Sequence, residues 1–436
     1  MISLLLFLRK QGGGSFVMLY ALSGISTFDM NKNTIPLRIN AYDYRAIFLF
    51  SACLIYALFG SPTPDRLGLV DAVLIFLLAL SVGIAHMRGL LVRSAGHRFW
   101  KSAGQISLIY GLSIPLAVGA MAGHSFGAML RDIVPFACLF LPLFCLPVIR
   151  ARPRYFRTTL LGLILIGLLF GLRSLVMRFD ISCAIDVWCA NDELLYLENM
   201  PTVLFSCLFL FGSAITYAVR GISLRHMFVF GSLIALALIP LAAMIFTLQR
   251  ASIGAVVVYI ACVYSYFFYK KPFRALGALF LGVAALYVVD ISLEGVFASL
   301  WDKTRNVGLN MRPQEMAAVW EIVRRDPVTL LFGIGWGGHF NSPAVGGLSV
   351  NFTHNFFSSM FLKSGLIGVI FCSAYIAGLL ERLVRVIKKN TVFGLAIAAP
   401  ILIDLTLYAS FKSLDFGLVL LMIPASLVYF RQLESR

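Results

Sequence analysis

The chain has 436 residues, of which 60% are hydrophobic, and its mean hydropathy is +0.90. So apolar a composition excludes an ordinary soluble domain, and its long apolar runs exclude the short alternating segments of a membrane β-barrel. The net charge of +16 could suggest nucleic-acid binding. Because cytoplasmic loops of membrane proteins are rich in Lys and Arg, we expect no nucleic-acid partner.

Residues 1–44 contain only short apolar stretches, so we expect a cytoplasmic or interfacial lead-in; one additional or re-entrant span there is the alternative. Residues 45–436 are predicted to form one integral membrane domain. A spanning helix needs about 17–24 mainly apolar residues. Twelve segments qualify: 45–60, 68–86, 104–122, 132–149, 158–177, 201–219, 226–248, 252–269, 274–291, 355–380, 393–410 and 415–430. The predicted fold is an all-α, polytopic transmembrane helix bundle of about 12 spans.

The charges of the connecting loops alternate along the chain. One set of loops is rich in Lys and Arg: 88–101, 150–157, 220–225, 270–274 and 382–389. The other set carries most of the acidic residues. By the positive-inside rule the first set and both termini are cytoplasmic, and in a bacterial inner membrane the other set would face the periplasm. Two long loops, about 178–200 and 292–354, are then predicted to be periplasmic.

The eight cysteines indicate neither a metal site nor a dense disulfide framework. Six of the eight lie in apolar runs, where a thiol behaves as a small hydrophobe, and no paired metal-binding spacing occurs. Cys183 and Cys189 lie in the first periplasmic loop. In that oxidising compartment they are candidates for a short-loop disulfide, and two free thiols are the alternative.

The second periplasmic loop contains one predicted amphipathic helix. Arg312 precedes Pro313, which suits the first helical position, and Glu315 lies in the first turn. Its apolar face consists of Met316, Val319, Trp320 and Val323. Pro327 is predicted to end the helix. The Gly333–Gly338 segment is then expected to be a flexible turn, because glycine adopts backbone conformations that other residues avoid.

Arginines on the outer face are the first candidates for chemistry. They are Arg173, Arg178, Arg250, Arg305 and Arg312. Cations on the translocated side oppose the charge rule, and the planar guanidinium matches phosphate oxygens. A cluster of them would suit a membrane-anchored diphosphate. Binding to lipid headgroups or pairing with loop carboxylates is the alternative.

His354 is the candidate base. It lies at the start of the tenth predicted span, next to Asn355, after a Gly-rich loop. An imidazole can accept a proton near neutral pH, as activation of a sugar hydroxyl requires. His339 lies in the same loop without a supporting motif. Lys363 is an intramembrane cation, and such residues are functional candidates even where a structural role is the alternative.

Three features resemble the O-antigen ligase and O-antigen polymerase superfamily. The first is His354-Asn355, nine residues, then Gly365-Leu366-Ile367-Gly368. The second is the loop with Arg312, Trp320, Asp326-Pro327 and Gly333-Ile334-Gly335. The third is Arg250, similar to the family's Ser-Arg-Gly turn but preceded by Gln249. The resemblance covers roughly residues 245–380.

This resemblance implies a metal-independent, inverting glycosyltransferase that needs no cofactor. Such an enzyme moves a glycan from an undecaprenyl-diphosphate carrier to an acceptor hydroxyl on the periplasmic face. His354 would activate the hydroxyl, and Arg250 and Arg312, with Arg173 or Arg178, would bind the diphosphate and stabilise its charge. We expect further substrate contacts from Arg305, His339 and Asn355.

The resemblance also implies the partners. These are an undecaprenyl-diphosphate-linked oligosaccharide, an acceptor glycan or lipid A-core, membrane lipids and, for a polymerase, a chain-length regulator as a candidate. The first hypothesis is a polymerase of O-antigen or exopolysaccharide repeat units. The ligase that transfers polymer to lipid A-core is the second, because Val369 departs from the residues that often follow this glycine in ligases. A protein O-glycosylating relative is a third.

A lipid-linked oligosaccharide flippase or transporter is the hypothesis from a different class. It would also need a basic cavity. However, transporters often show repeat symmetry and broken helices in corresponding positions, and the sequence shows neither. A long loop with a candidate base on one side favours an enzyme.

Overall fold

The computed structural model describes residues 41–61, 68–92, 98–179, 197–221, 223–289 and 311–435, together with a few residues between 295 and 308. Most of the predicted lead-in, and Cys183 and Cys189, lie outside the described residues. The described helices are α1 Ala41–Phe59, α2 Leu69–Val82, α3 Ile84–Val92, α4 Phe99–Met121, α5 Phe126–Cys138, α6 Leu141–Ala151, α7 Pro153–Arg178, α8 Pro201–Ala218, α9 Leu224–Phe246, α10 Arg250–Lys270, α11 Pro272–Val289, α12 Arg312–Val323, α13 Pro327–Phe332, α14 Phe356–Lys389, α15 Thr391–Thr406 and α16 Leu414–Glu434. Two short strands, β1 Phe340–Ser342 and β2 Leu348–Val350, pair antiparallel.

The all-α polytopic architecture is confirmed. Each of the twelve predicted segments coincides with a helix or, for 132–149, with the pair α5 and α6. Among the described residues, eight helices are long and apolar enough to cross a membrane, or nine if α5 and α6, bent by 42°, form one span. The helices α2, α11 and α15 are apolar but shorter. Twelve crossings therefore remain a prediction.

Helix α8 forms the centre of the bundle, and every one of its residues is buried. Because an apolar helix surface can face either lipid or protein, this burial results from packing against neighbouring helices. Close packing with α7 depends on Gly167, because a Cβ there would lie 2.1 Å from the Thr202 carbonyl oxygen. Helix α8 packs against α7, α9, α10, α11, α15 and α16, whereas α14 packs along α4.

Helix α14 is broken at Gly365. This residue has φ 63° and ψ −167°, so the predicted span over 355–380 coincides with a helix long enough to cross a membrane but contains a break that the sequence analysis did not predict. The break removes normal helical partners from nearby carbonyls. Two of these carbonyls bind the outer loop instead: Leu362 O accepts from Ile334 N at 2.8 Å, and Lys363 O accepts from Gly335 N at 3.1 Å. The interruption therefore creates the docking position for the outer loop.

The outer loop contains the predicted amphipathic helix as α12, with a proline in its first turn. Val319 and Val323 pack in a small core with Phe340 and Leu362, as the apolar pattern predicts. Met316 is 51% exposed, so the predicted apolar face is only partly covered. Pro327 does not simply end this helix. It begins α13, which Asp326 caps by accepting from Thr329 N.

The Gly333–Gly338 segment is a packed loop, and the expectation of a flexible turn is wrong. Trp336 is 2% exposed, and its indole Nε1 donates to Gly111 O of α4 at 2.6 Å. A Cβ on Gly335 would lie 2.3 Å from the backbone nitrogen of Gly119. Glycine is needed here because two backbones come into direct contact.

We expect replacement of Gly365 by alanine to destabilise the protein strongly. Alanine is strained at positive φ, and its Cβ would lie 2.3 Å from the Leu331 carbonyl carbon. The expected loss exceeds about 2 kcal/mol, measured as thermal unfolding of detergent-purified protein by tryptophan fluorescence. The matched control is Gly254→Ala in α10, where nothing lies within 4 Å of the added Cβ. Equal unfolding temperatures for the two variants would contradict this account of the break.

Candidate active site around His354

His354 is held by a buried carboxylate. Its Nδ1 lies 3.2 Å from both oxygens of Glu315, and its backbone N–H donates to Glu315 Oε2 at 2.9 Å. The hydroxyl of Ser342 donates to Glu315 Oε1 at 2.6 Å. Glu315 is 1% exposed, whereas the imidazole is 25% exposed. The site thus consists of the solvent-accessible imidazole of His354, which is bound to the buried carboxylate of Glu315.

The local fold explains this pairing. Helix α12 begins at Arg312 and places Glu315 in its first turn. The β1–β2 hairpin then reverses the chain, with Phe340 opposite Val350, and returns it to α12 just before α14 begins. His354 and Glu315 are therefore neighbours although 39 positions separate them.

Hydrogen bonding decides the charge of Glu315. Burial alone would raise the pKa of this carboxyl, but the donors on His354 and Ser342 outweigh burial and lower it below its usual range. An ionised carboxylate has no proton to donate, so Nδ1 of His354 must carry the hydrogen of their bond. This tautomer leaves Nε2 with a free lone pair, which is the state of a general base.

Two of the predicted arginines are linked to this pair, since Arg312 interacts electrostatically with Glu315 and Arg250 interacts with Arg312. Arg312 is one helical turn from Glu315, and its guanidinium carbon lies 5.8 Å from the centre of the Tyr408 ring. Burial lowers the pKa of Arg312, and repulsion from Arg250 adds to that effect. Arg250 donates to Gly308 O at 3.0 Å. Two positive charges close enough to repel each other are suited to an anion between them.

The turn that carries Arg250 is fixed by its neighbours. Leu248 has φ 53°, an unusual conformation for a residue with a side chain. The Tyr408 hydroxyl donates to Gln249 Oε1 at 2.9 Å. Lys303 of the outer loop donates to the carbonyls of Thr247 and Leu248 at 3.1 Å each. Gln249, where the family pattern has serine, therefore connects this turn to Tyr408.

A cleft of about 330 Å³ opens beside His354. One part of its wall is apolar and comes from α2 and α5. The other part is polar. The charged residues that line the cleft are Lys412, Arg131 from α5 and one carboxylate, Asp71 from α2, and its polar lining residues include Asn351, His354, Tyr408, Ser410 and Ser413. A cleft with one apolar wall and one cationic end suits an amphipathic anion.

Beneath the cleft, Asp132 of α5 binds two lysines. Lys363 Nζ lies 2.5 Å from Asp132 Oδ2 and 2.6 Å from Gly338 O. Lys412 Nζ lies 3.4 Å from Asp132 Oδ1 and 2.9 Å from Asn351 O. The backbone N–H of Gly337 also donates to Asp132, at 2.9 Å. Lys363 therefore has the structural role that the sequence left as its alternative: it fixes the glycine-rich loop to the bundle.

The other predicted site residues lie elsewhere or have partners. Arg173 is 1% exposed and donates to the carbonyls of Ala57 and Gly60 at the end of α1. Asn355 caps α14, accepting from Phe357 N and Ser358 N. The exposed residues Arg178, Arg305 and His339 are absent from the described lining of the cleft. Arg250 and Arg312 are also absent from that lining, but both interact electrostatically with Tyr408, which does line the cleft.

Sequence reasoning missed Glu315, Asp132 and Lys412 as site residues. Glu315 looked like an ordinary first-turn acid, and nothing local signals its bond to His354. Asp132 and Lys412 had one usable signal, because isolated charges in apolar segments need partners. In the described ranges, no group of three or more His, Cys, Asp or Glu side chains could hold a metal ion.

Residues 234–373 match the family model described as O-Antigen ligase. The match begins within α9, ends within α14 and includes Arg250, Arg312, Glu315 and His354. No curated protein matches the chain. The structure therefore defines a polytopic helical membrane protein. Residues 234–373 are similar to the O-antigen ligase family, consistent with the O-antigen ligase and polymerase superfamily, and this similarity together with the apolar helices indicates a bacterial inner-membrane protein.

We expect Asp132→Asn to destabilise the protein by about 3–5 kcal/mol, because Lys363 would be left buried without its counter-charge. The double variant Asp132→Asn with Lys363→Met should recover part of that loss, since the fully buried cation is then removed and only Lys412 still lacks its counter-charge. Both are measured as thermal unfolding in detergent. A double variant no more stable than Asp132→Asn would show that the charge pair is not the cause.

Proposed function

We propose that the chain is a glycosyltransferase that transfers a glycan from an undecaprenyl-diphosphate carrier to an acceptor hydroxyl. The observation that carries the proposal is the bond from His354 Nδ1 to the buried carboxylate of Glu315, at the edge of a cationic cleft. A histidine that only filled space would need no such carboxylate. The family match supports O-antigen ligase or polymerase chemistry in general.

The proposed step is a single displacement. Nε2 of His354 takes the proton of the acceptor hydroxyl while its oxygen bonds to the anomeric carbon. The bond from that carbon to the carrier's phosphate oxygen breaks, and the electron pair leaves with the diphosphate. Arg250 and Arg312 stabilise the departing negative charge. The proton on His354 then passes to solvent, which restores the base.

We further propose that the reaction inverts the anomeric carbon and needs no metal. Attack by the hydroxyl on the face opposite the departing diphosphate inverts configuration in one step. Paired guanidinium groups can supply the positive charge that a divalent cation supplies elsewhere. In this proposal Arg250 and Arg312 are the diphosphate ligands, and the buried Arg173 supports α1 instead.

The outer, periplasmic face is the proposed location of the chemistry. Arg250 and His354 lie at the starts of α10 and α14, whereas the opposite ends of these helices carry Lys270 and Lys388 with Lys389. Basic helix ends favour the cytoplasmic side. His354 would then be reached by lipid-linked substrates from the outer leaflet.

Polymerisation of O-antigen or exopolysaccharide repeat units is the first specific proposal. Ligation of finished polymer to lipid A-core is the second, and the similarity of residues 234–373 to O-antigen ligases favours it. Both reactions use the same base and the same diphosphate ligands. The acceptor alone distinguishes them, because the described cleft would admit either amphipathic molecule.

The deciding experiment uses detergent-purified protein, an undecaprenyl-diphosphate-linked repeat unit and a metal chelator, with products separated on a gel. A ladder establishes the polymerase. Transfer that occurs only after lipid A-core is added establishes the ligase. No transfer to either acceptor, combined with carrier movement across reconstituted vesicles, would favour the flippase and overturn the proposal.

We expect His354→Ala to reduce kcat by about 10²–10⁴-fold, the usual contribution of a general base. The matched control is His226→Ala, which changes a histidine at the start of α9, where its ring contacts Ser223. Both variants are compared for turnover, expression and unfolding temperature. If His354→Ala turned over substrate as fast as the His226→Ala control, His354 would not be the general base.

Glu315 is proposed as a positioning residue. Glu315→Gln should lower kcat by about 10–100-fold with little change in KM, because the amide no longer enforces the tautomer of His354.

The pKa of Glu315 is lower in the folded protein than in the unfolded chain. The stabilisation that this carboxylate provides is therefore present above about pH 4.3 and is lost as pH falls through the lower folded value. The unfolding temperature of the wild type should therefore fall more steeply below pH 4 than that of Glu315→Gln. Unchanged kcat with lower stability would indicate a purely structural role.

We expect Arg250→Lys to reduce kcat/KM by about 10²-fold although the charge is kept, since a lysine cannot form two parallel bonds to phosphate. The control is Arg274→Lys, at the opposite end of the bundle, where the side chain donates to Arg220 O. Steady-state rates with varied donor concentration provide the measurement. Full activity of Arg250→Lys would show that Arg250 contributes only its positive charge and no paired hydrogen bonds to the phosphate.

A further inference from the structure

A second cavity lies at the far end of the bundle from His354. It has a volume of about 370 Å³ and is lined by Tyr42, His86, Leu90, Lys101, Pro142, Leu143, Leu146, Pro147, Arg150 and Ala151. Helix α4 starts beside it, with Lys101, and passes Gly119, which contacts the glycine-rich loop. Eighteen residues of helix span about 27 Å, close to the thickness of the hydrocarbon layer. This pocket, the α4–α6 pocket, therefore lies at the opposite membrane interface.

The α4–α6 pocket contains cations without counter-charges. In the part of the chain that the structure describes, neither Lys101 nor Arg150 forms an ion pair. Nearby carboxylates are engaged elsewhere: Asp43 binds Arg152 and Arg154, and Glu381 binds Arg385. The pocket therefore presents positive charge that its own neighbours do not balance.

A third cation adds to this charge. The ammonium of Lys101 lies 5.9 Å from the Trp100 ring centre, and the guanidinium of Arg382 lies 5.3 Å from the same ring. Repulsion from Arg98, Arg150 and Arg382 acts on Lys101. Holding like charges together costs free energy, which a bound anion would offset.

The rest of the pocket wall is apolar. Leu90, Leu143, Leu146 and two prolines line it, and Tyr42 lies at its margin with 36% of its surface exposed. A small soluble anion would gain nothing from these side chains. A lipid would place its phosphate by the cations and its glycerol and upper acyl chain against the leucines.

We propose that the α4–α6 pocket is a binding site for an anionic phospholipid of the membrane leaflet opposite the catalytic face. Lys101 and Arg150 bind the headgroup phosphate, and the leucines contact the acyl chains. The site is separate from the proposed reaction and does not depend on it. A lipid bound between α1, α3, α4 and α6 would also stabilise the packing of these helices against one another.

The test is native mass spectrometry of the detergent-purified full chain, titrated with phosphatidylglycerol or with phosphatidylcholine of identical acyl chains. The wild type should retain phosphatidylglycerol at least about tenfold more tightly than phosphatidylcholine. Lys101→Gln with Arg150→Gln should abolish that preference, because each cation near an anionic lipid contributes a substantial part of the affinity.

Two controls keep the outcome clear. Lys270→Gln with Lys271→Gln removes the same charge at the end of α10, and it should leave the preference intact. Ala151→Trp fills the pocket without changing charge, so it should lose the lipid even if the double variant folds poorly. Equal loss in both charge variants would indicate unspecific surface attraction and overturn the site.

Inorganic phosphate distinguishes a lipid from a soluble anion. Added at millimolar concentration, it should not displace phosphatidylglycerol, because it lacks the acyl contacts. Displacement at that concentration would show that the pocket takes a soluble phosphate and would contradict the lipid assignment. Glycan transfer is measured in parallel, and it should persist in the lipid-binding variants, so a failure of this proposal remains distinct from a failure of the proposed reaction.

Discussion

The ion pair between Lys363 and Asp132 connects three distant segments at one buried point. Lys363 lies two residues before the break in α14, Asp132 belongs to α5, and both bind the glycine-rich loop, through Gly338 O and Gly337 N. A buried charge without its partner is costly, so these segments hold one arrangement. The hairpin and His354 follow directly from that loop. The position of His354 therefore depends on an ion pair with which it makes no contact.

The broken helix and the ion pair act together. The break at Gly365 exposes carbonyls to which the loop binds, and the loop in turn covers Lys363 and Asp132 from solvent. The ion pair holds the loop that precedes His354, and Glu315 binds Nδ1 of its ring. The other ring nitrogen, Nε2, is then free to face the cleft. Two cationic regions then lie at the two ends of the bundle. One belongs to the proposed diphosphate site, and the other belongs to the proposed lipid site.

Much of the architecture was predictable because it follows from local composition. Apolar segments predicted the helices, and the proline and acidic residue at the start of α12 predicted that helix. The His354-Asn355 and Gly365 motif indicated the region of the site, and the family match covers it. Roles for individual residues were less predictable. Asn355 looked like a substrate ligand, yet its amide caps a helix, and Arg173 looked outward-facing, yet it is buried against α1.

The class of protein, the positions of the apolar helices and the candidate base follow from the amino-acid sequence. These properties depend on hydrophobicity and on residues adjacent in the chain. The contact of Glu315 with His354, the sharing of Asp132 by Lys363 and Lys412, and the interruption of a helix at Gly365 come from the three-dimensional structure. Each of these contacts joins segments far apart in sequence. Their existence depends on backbone packing in three dimensions, for which local patterns carry no signal.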